Sequence, residues 1–349
     1  MRPILKRSGM AAALMVITLP LKAHHGNLAI FDVERNITLQ GVVTKFEWTN
    51  PHVYIQLETE KDAEEGVVWV IEASAVAQLT RLGWSRRSLA PGDQVIVAAR
   101  PPKNPDRRTA LADSVLKEDG TLLSIRSETR DEDRAPADVE LIVVDLPTPI
   151  VANDLSGRWL TRWDPDVGSQ TLRPQTSWVL TDKGIAGVES YDGSVNPARD
   201  CIAEPVPYHM IWPYLTNIEI DREVTLIRRE RSADRSVYMN ADSHDGAPYT
   251  ILGHSIGWWE DDVLVVDTAH FADHRRGNGG GLPSGREKHL VERFDLSPDR
   301  TSLNYTFRLE DPEYLAESVT GTLELIYRPD LPMETEPCDP VSARRYLEE

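Results

Sequence analysis

The chain has 349 residues, 40% hydrophobic and 27% charged, which is enough for about two domains with buried cores and too apolar for a disordered tail. Its formal net charge is −18, from 38 Lys+Arg against 56 Asp+Glu. That balance excludes a sequence-independent nucleic-acid binder and makes an anionic membrane surface a poor partner, because both need a basic face.

Residues 1–23 read as a secretory signal. A basic start (Arg2, Lys6, Arg7) precedes an apolar run from Gly9 to Leu21, too short for a membrane span, and the small residue Ala23 stands before the expected cleavage point. Cleavage removes four basic residues and no acidic ones, so the mature chain carries 34 − 56 = −22. A periplasmic or secreted location is the expectation, with no membrane span after cleavage. In an oxidising compartment, Cys201 and Cys338 are expected to form one disulfide, being too few and too far apart for a zinc knuckle. It would close a loop worth on the order of 4 kcal/mol in the chain-entropy model and pin a C-terminal tail, 331–349, to the second domain.

From 37 to 125, within a first domain of 24–125, the pattern is strand-like. ITLQGVVTKFEW, HVYIQLETE, VVWVIEAS and DQVIVAARP are β-branched, partly alternating runs separated by Gly, Pro and charged turns. One helix fits between them, SAVAQLTRLGW, with Val76, Leu79 and Leu82 on one side and Gly83 as its stop. Several short strands and one helix predict a small barrel of the OB type. Residues 126–152 turn charged and Pro-rich and read as a linker whose VELIVVD stretch is a candidate edge strand.

From 153 to 330 the text is again β-rich: WVLTDKGIA, IEIDREVTLIRRE, SVYMNAD, GWWEDDVLVVDTAHF, KHLVERFDLSPDRTSLNYTFRLED and VTGTLELIYRP. Adjoining turns predict sequential hairpins and an antiparallel meander. Gly157-Arg158-Trp159 resembles the Gly-x-Trp that opens lipocalin-like barrels, where the Trp plugs the floor. The predicted fold is therefore all-β with one short helix: an OB-like barrel, then a calycin-like barrel able to hold a small hydrophobic molecule.

Several motifs together resemble an uncharacterised family of exported bacterial proteins: His24-His25, Thr38-Leu39-Gln40-Gly41-Val42-Val43, Trp48-Thr49-Asn50-Pro51-His52, Gly83-Trp84, Pro91-Gly92-Asp93, and later GHSIGWWEDDVLVVDT with VERF and EDPEYL. The resemblance spans nearly the whole mature chain and implies no settled activity.

The expected mature N-terminus carries the sharpest metal signal. His24 as first residue offers its α-amine and ring Nδ1 to one metal, and His25 or His52 a further imidazole; tetragonal nitrogen sets of this kind suit copper(II). Glu72 is a candidate carboxylate neighbour. A metal-independent alternative lies in the second barrel, where His254, Asp267, Glu292 and Tyr238, with Glu260, His270, Arg293, Glu310 and Asp311 nearby in sequence, are polar groups that strands could turn inward. There a desolvated carboxylate serves as general acid or base for a lyase, isomerase or hydrolase reaction on a small apolar substrate. Alternation puts Leu264, Val266 and Thr268 on one face and Val263, Val265 and Asp267 on the other, so Asp267 is expected to pair with Arg235 or Arg293. A non-catalytic envelope interaction module is the third reading.

Gly253-His254-Ser255-Ile256-Gly257 matches the nucleophile-elbow pattern, but a strand follows it where that motif needs a helix, so a hairpin is expected. Six of the tryptophans, Trp159, Trp163, Trp178, Trp212, Trp258 and Trp259, fall in the second domain as core or cavity lining. Gly277-Asn278-Gly279-Gly280-Gly281 lacks the Lys of a phosphate loop and reads as a flexible lid.

Overall fold

The computed structural model describes residues 30–61, 64–125, 149–162 and 178–345. The signal segment, His24, His25, Trp163 and most of the linker lie outside the described residues. Within them, the β-branched runs close into two barrels.

The first barrel is the predicted OB type. β1 (Ile37–Glu47), β2 (Tyr54–Lys61) and β3 (Glu64–Glu72) form a meander, β4 (Gln94–Arg100) returns to the other edge of β1, and β5 (Thr109–Lys117) joins β4 to β3. A closed ring with an odd number of strands cannot alternate direction all the way round. The parallel β3–β5 pairing, Val70↔Thr109 to Glu72↔Leu111, absorbs the mismatch. β6 (Leu122–Ser124) extends β5. Helix α1 (Val76–Arg81) follows β3, buries Val76, Ala77 and Leu79, and is followed by Gly83 in the left-handed region at φ 85°. Val43, Ile55, Leu57, Ile71, Val97 and Val115 fill the interior, all fully buried.

The second barrel has nine strands: β7 (Gly157–Thr161), β8 (Leu215–Glu219), β9 (Val224–Arg229), β10 (Arg235–Tyr238), β11 (His254–Glu260), β12 (Val263–Ala269), β15 (His289–Leu296), β16 (Ser302–Glu310) and β17 (Val319–Tyr327). The meander expectation needs one correction. Nine strands again demand a parallel step, and it falls between β10 and β11, so residues 239–253 must cross from one end of the barrel to the other. β13 (His274–Gly279) and β14 (Leu282–Ser284) form a separate two-stranded ribbon at the predicted Gly-rich lid. A second correction is WVLTDKGIA, which becomes helix α2 (Asp182–Glu189): the Thr181 side chain accepts from Gly184 N at 3.0 Å, and that N-cap outweighs the β-leaning composition. Trp159 is fully buried, its Nε1 donating to Leu155 O at 2.8 Å. With Leu264, Leu290, Tyr305, Leu309 and Leu325 it fills the interior expected to hold a hydrophobic guest.

Cys201 and Cys338 are bonded, as expected. The tail also docks on the first barrel at the Trp48–His52 turn: Asn50 Nδ2 donates to Glu336 O at 2.8 Å and Asp339 N to Asn50 O at 2.8 Å, while Arg345 forks onto Glu47 and stacks over Tyr54. Arg81 of α1 pairs with the buried Glu230 and donates to Pro213 O at 2.9 Å. α3 (Pro340–Ala343) closes the described tail. Among the described residues, no helix is long and apolar enough to cross a membrane.

Candidate active site

β12 carries a polar side chain on each of its two faces. Leu264, Val266 and Thr268 point inward and are fully buried, so Asp267 points outward, as its alternation implies. The register sets Asp267 opposite Ile256 of β11 and Val291 of β15, and one row further His254, Ala269, His289 and Glu310 lie side by side across four strands. Ala269 carries only a methyl group, too small to block that row. The crossing segment 239–253 then lays His244 over it, held by Thr250, whose N donates to His270 O at 3.0 Å and whose carbonyl accepts from Ala272 N at 2.7 Å. Gly253, at φ 73°, immediately precedes β11, where a Cβ would lie 2.6 Å from Thr268 Cγ2, so only glycine fits.

Four of the chain's nine histidines thus gather on the outer face. His244 Nε2 lies 2.9 Å from Asp267 Oδ1, and His289 Nε2 lies 3.0 Å from both Asp267 oxygens. His244 Nδ1 faces His254 Nδ1 at 2.9 Å. Tyr238 stacks on His254 at 5.1 Å and Tyr249 on His270 at 4.7 Å, and His270 Nδ1 donates to Ala247 O at 2.9 Å. Burial pushes the Asp267 carboxyl up, but hydrogen bonds from His289 and His244 outweigh it and hold it below its ordinary range. The same bond, with Glu310 3.8 Å away on the other side, raises His289 above its ordinary value. Desolvation, then the like charges of His244 and His270, lower His254.

The tautomers follow. An ionised carboxylate only accepts, so His244 and His289 donate from Nε2. Neutral His244 therefore accepts at Nδ1, His254 donates from its Nδ1, and His254 Nε2 is left as a lone pair on a half-buried ring.

The sequence-based set is divided by the structure. Tyr238, His254 and Asp267 come together, but on the outside of the barrel and not in its interior. Glu292 does not join them. It follows Leu290 and precedes Phe294 on the inward side of β15, fully buried, with Arg235 forked onto it and Tyr305 OH donating at 2.9 Å. Arg235 also donates to Ser255 Oγ at 2.9 Å and Thr268 Oγ1 at 2.6 Å. Ser255 is thus an inward-facing structural group in a hairpin, as the failed elbow context implied. The partners expected for Asp267 are corrected too: Arg235 takes Glu292 and Arg293 takes Glu260, leaving Asp267 to the histidines. His244 was not among the residues singled out, because a crossing loop delivers it and no spacing in the sequence announces that.

His52 Nδ1 is paired with the buried Glu72 carboxylate in the first barrel. His24 and His25, the other expected copper ligands, lie outside the described residues. Among the described residues no group of three His, Cys, Asp or Glu side chains is arranged to hold a metal ion.

Residues 12–111, which reach the start of β5 in the first barrel, match the model of a family of unknown function (DUF6152), in agreement with the resemblance to an uncharacterised family. No curated protein and no solved structure matches the chain.

Proposed function

We propose that the second barrel is the catalytic unit of an exported enzyme that moves a proton on a small apolar substrate, in a lyase, isomerase or hydrolase reaction. The three-part N-terminal text and the disulfide support export. One observation carries the chemistry: the chain Asp267–His244–His254 ends in an imidazole whose Nε2 has no hydrogen-bond partner among the described residues.

As His254 Nε2 accepts a proton, its Nδ1 proton shifts toward His244, whose own Nε2–H is held by the Asp267 carboxylate. The positive charge that develops is spread along a chain that ends in a negative group, which is how an oriented carboxylate strengthens a histidine base. A depressed His254 is unprotonated, and so competent as a base, at neutral pH. Tyr238, Tyr249 and Trp258 are each at least 40% exposed around this face and offer planar surfaces for an apolar substrate.

The test is a panel of esters, lactones and enolisable carbonyl compounds with the purified full chain. Turnover should fall at least about 100-fold in His254→Ala and Asp267→Asn, the range lost with a general base, and hold in Glu260→Gln. A turnover that survives both active-face substitutions rules the reading out.

A further inference from the structure

The β13–β14 ribbon shares no strand pairing with either barrel, and a lone two-stranded hairpin is marginally stable by itself. His274, Asn278 and Ser284 of the ribbon, and Lys288 and Asp311 packed against it, are each 5% exposed or less. Their hydrogen bonds are few. Asn278 Nδ2 donates to Pro283 O at 2.8 Å and to Asp311 Oδ2 at 2.7 Å, and Gly285 N donates to the same Oδ2 at 3.0 Å. Lys288 Nζ donates to Gly277 O at 2.9 Å, above the Phe271 ring at 4.9 Å. Arg276 N donates to His274 Nδ1 at 3.2 Å.

Four of their polar atoms have no partner among the described residues: His274 Nε2, Asn278 Oδ1, Ser284 Oγ and Asp311 Oδ1. Each such atom costs about 1–3 kcal/mol when buried, so four around one hairpin ask for a guest. The unmatched groups have both signs. His274 accepts at Nδ1, so its Nε2 carries the hydrogen and donates, Ser284 can do either, and Asp311 Oδ1 and Asn278 Oδ1 accept. A guest with a carbonyl oxygen and a hydroxyl satisfies both kinds, and Lys288 stands beside it as the one amine.

We propose that Lys288 is a reactive amine packed against the β13–β14 hairpin, where it captures a short hydroxyaldehyde or hydroxyketone as an imine. The Nζ lone pair attacks the carbonyl carbon and one N–H proton passes to the oxygen, giving a carbinolamine. Asp311 then delivers a proton to the departing hydroxyl and takes the remaining N–H proton, so one water leaves and no redox partner is needed. Burial pushes the Lys288 ammonium down to about 7, against the attraction of Asp311 and Glu292, and pushes the Asp311 carboxyl up. His274, the other titratable group facing Lys288, is driven down to about 4 by burial and adds no charge at neutral pH. The site is separate from the outer-face histidines: Lys288, just before β15, is buried, whereas His289, at the start of the strand, keeps 39% of its side chain exposed.

The test is reductive trapping on the full, disulfide-intact chain with glycolaldehyde and cyanoborohydride near pH 7, read by peptide mapping. An ordinary lysine near 10.4 is then about one part in a few thousand amine, so Lys288 should carry adduct at least about tenfold faster than the surface residues Lys45 and Lys183. Propionaldehyde, similar in size but without the hydroxyl, should trap several-fold more slowly, and Lys288→Arg should lose only the fast adduct. Mapping of the wild-type chain stands even if that variant fails to fold. An unmodified Lys288 beside modified surface lysines overturns the reactive amine, and equal trapping of both aldehydes overturns the hydroxyl recognition.

Discussion

The inner and outer faces of strands β11, β12 and β15 each carry a polar cluster, and the two are built on opposite principles. Inside, Arg235, Glu292, Tyr305, Ser255 and Thr268 are buried and tied to one another. Outside, His244 and Asp267 keep 17% and 19% of their side chains exposed, His289 keeps 39%, and the chain of hydrogen bonds ends in an unused lone pair on His254. A saturated buried cluster fixes a core; an unsaturated, solvent-reaching one has a valence left for a substrate. Both draw on the same three strands, with Ser255, Thr268 and Glu292 facing in and His254, Asp267 and His289 facing out, because alternate residues of one strand serve opposite faces.

The sharpest way to break this contrast is Glu292→Gln. It strands the Arg235 cation in the barrel and should lower stability by about 3–5 kcal/mol, read as a shift in the urea midpoint. Asp267→Asn is the mirror experiment: being partly exposed, it should lower stability by no more than about 1 kcal/mol, yet turnover should collapse. If Glu292→Gln unfolds easily but Asp267→Asn keeps its rate, the outer cluster is only a clasp for the crossing loop.

Much of this contrast was legible in the sequence. VLVVDT placed Asp267 on the face opposite Leu264 and Val266, and Glu292 was among the polar groups expected to turn inward. The OB-type barrel was equally legible, because turn residues separate its strands cleanly. Which side of β12 is the inside was not. Val265 is also nearly fully buried, so hydrophobicity alone does not distinguish the faces. His244 was hidden for a topological reason: an odd-stranded ring needs a parallel step, and the loop that makes the step carries the residue completing the site.

The two partners of Asp267 make the outer cluster pH-dependent in a definite direction. A carboxyl held below its ordinary value stabilises the fold above about 3.9, and that contribution is lost as the pH falls through the folded-state value. His289 is raised, so its contribution is complete below about 6.5 and is lost as the pH rises through its folded-state value. The gap in melting temperature between wild type and Asp267→Asn should therefore be widest in mildly acidic solution and narrow in both directions. A gap flat from pH 4 to 9 would mean that the His289–Asp267 bond does not hold in solution.

The smallest expected effect belongs to Tyr238, and it separates the two duties a ring can have. Tyr238 lies parallel to His254, with 20° between the planes, and 41% of it remains exposed. Its face orients the imidazole, whereas no hydrogen bond joins its hydroxyl to the relay. Tyr238→Phe should leave the rate and its pH profile almost unchanged. Tyr238→Ala removes a stacked pair worth about 0.5–1.5 kcal/mol, a loss of several-fold in turnover with little change in melting temperature. The acid limb of the rate profile should still lie below about 6.5, since burial, His244 and His270, not the tyrosine, depress His254. Were Tyr238→Phe to cost as much as Tyr238→Ala, the phenol hydroxyl and not the ring would be meeting the substrate, and Tyr238 would pass from a positioning residue to a second proton donor beside His254.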